Sequence, residues 1–138
     1  MLRFKHYTVA VNDLDEAVAS HQARFGMEAI GEQAHNSIGN FQFQRMGYGG
    51  EVTMHLIRPE NEESPIYRLM QERINDFNPH GEGIYLLAYE SDDVDAFCAQ
   101  VEAEGGKVNR LPGGSNAWVH PTSSNFVLME IFPIGDDH

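Results

Sequence analysis

Cysteine is almost missing from this chain: Cys98 is the only one in 138 residues. An intrachain disulfide is therefore excluded, which fits a reducing, cytoplasmic setting. Basic residues are scarce as well. Nine Lys and Arg stand against 21 Asp and Glu, a formal net charge of −12. That balance argues against nucleic acid or an anionic membrane surface as the main partner and says little about the substrate. No apolar run approaches the roughly 20 residues that cross a bilayer. The opening MLRFKHYTVAV has no apolar core followed by a small-residue cleavage site, so no signal peptide is expected. A phosphate-binding loop is lacking too, since GYGGE is not followed by Lys and Ser or Thr. No nucleophile motif stands out.

What is present is an apolar fraction of 41%, enough for a core without covalent staples, and a repeat. HYTVAVNDLDEAVASHQARFGM begins at His6, and LLAYESDDVDAFCAQVEAEGGK begins at Leu86. An offset of 80 places Asp13 on Asp93, Asp15 on Asp95 and Gly26 on Gly106. Each segment reads as a strand, an acidic turn, a helix and a glycine stop. Asp13 with Glu16 has the spacing of a capping box, and Asp92–Asp93 supplies negative charge at a helix start.

Three short strand patterns follow each helix. They are MEAIGE, FQFQRMGY and EVTMHLIRP in the first half, and GKVNRL, NAWVHP and NFVLMEIF in the second. SPIYRLMQERINDFNP reads as a connecting helix, with Ser64 as cap, Pro65 at its first position and an end at Asn78–Pro79. The expected fold class is α+β: paired βαβββ modules forming a curved, mostly antiparallel open-barrel sheet around a cleft. The expected organisation is a first module over 1–60, a connecting helix and loop over 61–80, and a second module over 81–135.

Strand side chains alternate between faces. Tyr7, Val9 and Val11 are expected under the helix, with His6 and Thr8 turned to the cleft. His55 shares a face with Thr53 and Ile57, and Glu130 with Leu128 and Phe126. A carboxylate inside the apolar run NFVLMEIF is costly unless it is paired or binds a metal. His6, His55 and Glu130 would suit a divalent ion such as Zn, Ni, Co, Mn or Fe. A Glu130 that points to water, or pairs with an arginine, meets the same alternation equally well.

At these residues the sequence resembles the vicinal oxygen chelate superfamily, which includes glyoxalase I, bleomycin-resistance proteins, extradiol dioxygenases and methylmalonyl-CoA epimerase. The motifs are FKHYTVAVNDLDEAVA with FGM, GEGIYLLAYESDDVDAFCAQVEAEGGKV, WVHPTSSNFVLMEI and the MHLIRP strand. They look most like the epimerase and glyoxalase branch. The resemblance implies a metal held at four strand positions, three of which are His6, His55 and Glu130. At the fourth stands Leu86, which cannot coordinate. It also implies a homodimer and chemistry on a small carbonyl compound: an epimerase, isomerase or lyase working through an enolate, with Glu130 as the in-site carboxylate. Trp118, His120, Leu86 and Gln44 are the candidate substrate contacts. Two other readings remain: a metal-free binding protein of the resistance type, and an Fe(II) dioxygenase. Glu90 has the parity of Leu86 and reads as a solvated strand end. His138 is a terminal residue and reads as disordered.

Overall fold

In a computed structural model that describes residues 1–136, the chain divides into two compact units. His138 lies outside the described residues. The first unit is Tyr7–Tyr85, and the second is Met1–His6 together with the chain from Leu86 onward. The first strand contributes its opening residues to the second unit.

The elements run β1 (Leu2–Ala10), α1 (Leu14–Phe25), β2 (Glu28–Asn36), β3 (Phe41–Tyr48) and β4 (Glu51–Pro59), then α2 (Pro65–Glu72). They continue with β5 (Gly83–Ser91), α3 (Val94–Ala103), β6 (Val108–Asn109), β7 (Ala117–Val119) and β8 (Met129–Pro133). This is βαβββ twice, as the repeat predicts. In the first unit β1 pairs parallel with β4, and β4–β3 and β3–β2 are antiparallel. In the second, β5 pairs parallel with β8, and β8–β7 and β7–β6 are antiparallel. No helix among the described residues is long and apolar enough to cross a membrane.

The local signals explain the helix ends. The Asp13 side chain accepts from the Glu16 N–H at the start of α1, and Asp93 accepts from the Ala96 N–H at the start of α3. Each satisfies a donor that the first helical turn leaves open. Gly26 closes α1 in the left-handed conformation, φ 64°. Ser64 caps α2 and Pro65 opens it, but the helix stops at Glu72 instead of running to Asn78. There the Asn75 carboxamide oxygen takes the N–H groups of Phe77 and Asn78, so a turn built on Asn75 competes with further helix.

The core of the first unit under α1 is Val11, Leu14, Ala17, Met27, Met46, Met54 and Leu56, and Tyr7 and Val9 pack on it as alternation predicts. A second cluster of Ala10, Ile57, Ile66 and Met70 lies with α2. In the second unit Val94, Cys98, Ala117 and Ile131 pack between α3 and the sheet. The expected last strand is shortened. Asn125 and Phe126 adopt left-handed φ of 55° and 65°, so strand geometry begins only at Met129. Phe126, which alternation put on the face of Glu130, is 81% exposed.

Candidate functional site

Glu130 is placed by β8. Its Cα partners are Ala88 on β5 and Trp118 on β7. Residues paired in this way share a face, so Glu130, Trp118 and, by alternation, Leu86, Asn116 and His120 lie on the side opposite Ile131 and α3. Asn116 Nδ2 donates to Glu130 Oε2 at 3.0 Å, and the Trp118 side chain is a second donor to the carboxyl. Leu86 is buried. Burial pushes the Glu130 carboxyl up to about 7, against the lowering effect of the Asn116 and Trp118 hydrogen bonds. The group thus changes charge near neutral pH, where an ordinary glutamate is fully ionised.

His120 leads into a short 3-10 turn, Pro121–Ser123. The Thr122 N–H donates to its Nδ1 at 3.2 Å, and Thr122 Oγ1 lies 2.7 Å from the same nitrogen. That nitrogen is engaged as a cap, which leaves Nε2 as the free edge of the ring. Glu90 is not a solvated strand end. It is buried and pairs with Arg3 at 2.8 Å and Lys5 at 3.9 Å.

In the first unit His55 sits on β4 with Thr8 and Arg45 as Cα partners. His55 is buried, and its ring stacks on Phe43 at 5.6 Å and 15°. Gln44 lies on the other face, paired with Leu56. It is buried, and its Nε2 donates to the carbonyls of Ile30, Gly31 and Arg45 at 3.3, 3.0 and 3.0 Å. Those first two carbonyls border the register shift between Ile30 and Ala34 on β2. Gln44 satisfies backbone groups left over at a bulge, which accounts for its burial without a substrate.

The structure brings Glu130, Trp118 and Leu86 onto one face of the second unit, with His120 at its edge. His6 is a buried residue of that unit, and His55 and Gln44 belong to the first. Among the described residues no group of three or more His, Cys, Asp and Glu is assembled to hold a metal. Asn116 is the functional neighbour that the sequence did not point to. Its only signal was its parity with Trp118 in NAWVHP. A groove of about 550 Å³ in the second unit lies elsewhere, along α3 between Asp92, Phe97 and Glu104. It offers an acidic rim and no buried titratable group, so the chemistry is better sought at Glu130.

The sequence pattern of the glyoxalase/bleomycin resistance protein/dioxygenase superfamily matches residues 5–118. Among solved structures, methylmalonyl-CoA epimerase from Mycobacterium tuberculosis is similar at 24% identity and TM-score 0.79, over 96% of this chain and 88% of that one. A Streptomyces coelicolor methylmalonyl-CoA epimerase variant in complex with 2-nitronate-propionyl-CoA is 23% identical, TM-score 0.78, over 97% and 98%. A hypothetical protein from Bacillus halodurans C-125 is 21% identical, TM-score 0.81, over 99% and 97%. No curated protein sequence matches significantly.

Proposed function

The chain belongs to the glyoxalase/bleomycin resistance protein/dioxygenase superfamily, and from that premise we propose that it is an isomerase-type enzyme that moves a proton beside the carbonyl of a small acyl compound. The observation that carries this reading is Glu130: a half-buried carboxyl whose pKa is pushed up to about 7, held by Asn116 and Trp118. A general base works best when its pKa lies near the working pH. In its ionised form Glu130 takes the α-proton. The electron pair moves to the carbonyl oxygen as an enolate; a proton supplied from solvent to the opposite face inverts the centre, and Glu130 then releases to solvent the proton it took. Asn116 and Trp118 fix which carboxyl oxygen is presented. Leu86 makes that face apolar and keeps water from competing for the proton.

The donor types of His6, His55 and Glu130 suit a divalent metal, which would polarise the carbonyl when bound. The residues present do not make the four-ligand set that the resemblance implies, because Leu86 offers no donor and no group of three is assembled among the described residues.

Relatives of this fold include a methylmalonyl-CoA epimerase in complex with methylmalonyl-CoA, so that thioester is the first probe. In deuterated water, proton NMR should show loss of the α-proton signal with the native protein and a drop of at least about 100-fold with Glu130→Gln. Binding of the thioester without any exchange would hand the site to the binding-protein reading.

A further inference from the structure

We infer that Arg45 is an anion site of the first unit, taking a carboxylate on the edge formed by Nε and one Nη. Arg45 stands on β3 directly across from His55, and Phe43, Ile57 and Thr8 share that face of the first unit. The guanidinium lies over the Phe43 ring, 5.1 Å from its centre. Its Nε is buried and meets no hydrogen-bond acceptor.

No Asp or Glu among the described residues pairs with Arg45, and of the described Lys and Arg side chains it is the one with a buried donor that meets no acceptor. In a chain with 21 acidic side chains an available carboxylate is not hard to supply. A half-buried arginine that takes none, with a donor shut away from water, leaves a polar cost uncompensated. An incoming anion removes that cost, and the guanidinium edge matches the two oxygens of a carboxylate. The flat ring of Phe43 fixes the plane in which the edge is presented. A net charge of −12 repels anions at long range, so an acidic ligand needs such a local cation.

The inference stands apart from the proposed function, because anion binding in the first unit can be read without turnover. The test follows the Arg45 Nε–H resonance of 15N-labelled protein during titration with malonate, inorganic phosphate and uncharged malonamide. Malonate should shift it, with affinity falling as salt rises, and malonamide should leave it in place. Arg45→Gln should weaken malonate binding at least about 10-fold and Arg45→Lys less, because Lys keeps the charge but not the fork. If Arg45→Gln fails to fold, Arg45→Lys and the native resonance decide. A response to phosphate at lower concentration than to malonate would overturn the carboxylate assignment. A resonance that no anion moves would overturn the site. Malonate binding without α-proton exchange would keep this inference and remove the proposed reaction; exchange with an anion-blind Arg45 would do the reverse.

Discussion

The two modules are copies in frame and strangers in chemistry. Both order their strands alike, with the first strand beside the fourth, then the third and second. Both helices start on an aspartate cap. The register repeats as well: Thr8 faces His55 in the first copy, and Ala88, 80 residues later, faces Glu130 in the second. Across the next strand, Arg45 neighbours His55 and Trp118 neighbours Glu130. One frame position thus carries an imidazole beside a guanidinium in one copy, and a carboxyl beside an indole in the other. The copies also spend their residues differently. Strands β2, β3 and β4 have 9, 8 and 9 residues, while β6, β7 and β8 have 2, 3 and 5. Caps and register outlast duplication because the fold needs them in each copy; the residues on the opposite face are free to diverge.

The sharpest test of that equivalence is in the cores. Leu56 follows His55 and Ile131 follows Glu130, and both are fully buried. Changing either to Ala should cost about 2–5 kcal/mol in urea unfolding. Leu56→Ala should cost more, because it leaves a hole in the cluster of seven buried residues whereas Ile131 belongs to one of four. A larger loss at Ile131 would mean that the second module, despite its short strands, carries the tighter core.

The next effect separates His55 from Glu130 by charge. The fold raises the Glu130 pKa from 4.5 to about 7, so the folded state prefers the protonated form. Its contribution to stability is complete below about 4.5 and is lost as pH rises through about 7. The full loss is about 3 kcal/mol, at 1.36 kcal/mol per unit of pKa. Glu130→Gln should therefore match the native protein near pH 4.5 and exceed it above pH 7 by up to that amount. Equal stabilities at pH 8 would show that the carboxyl is wetter than its surroundings imply. A divalent ion that stabilises the native protein at pH 8 and leaves Glu130→Gln unmoved would supply the metal that the donor types suit.

A smaller effect tests the shared caps. Asp13→Ala and Asp93→Ala should each cost about 1 kcal/mol in thermal or urea unfolding, and nearly alike. These caps were legible in the sequence because capping is local: an acid, a three-residue spacing and an apolar run. The module pattern was legible for the same reason, since alternation and an 80-residue offset need no tertiary knowledge. The rest was not. Alternation separates Gln44 from Phe43 but does not say which face is dry, and the bulge that claims Gln44 lies on another strand. Glu90 finds Arg3 and Lys5 more than 80 residues away, and Arg45 gained its meaning only from its neighbours across strands. The apolar composition of Asn125–Leu128 reads as strand because composition carries no φ.

That last segment gives the finest contrast between the copies. Each has a non-glycine residue in the left-handed region: Asn40 at φ 50° in the first, Phe126 at 65° in the second. Asparagine tolerates that conformation, whereas a residue such as Phe pays roughly 1–2 kcal/mol for it. Glycine would relieve the strain but lose about 0.5–1 kcal/mol to its more flexible unfolded chain. Phe126 is mostly exposed, so its removal forfeits little buried area. Phe126→Gly should therefore stabilise the protein by roughly 0.5 kcal/mol, and Asn40→Gly should change it by no more than about 0.3 kcal/mol. Strain retained at an exposed aromatic four residues before Glu130 calls for a use outside the folding balance. If that use is to contact the acyl compound, Phe126→Gly should raise the KM of α-proton exchange several-fold and leave kcat near the native value. Unchanged KM in a stabilised variant would mark the loop as a scar of the shortened strand and confine the function of the second module to the face of Glu130.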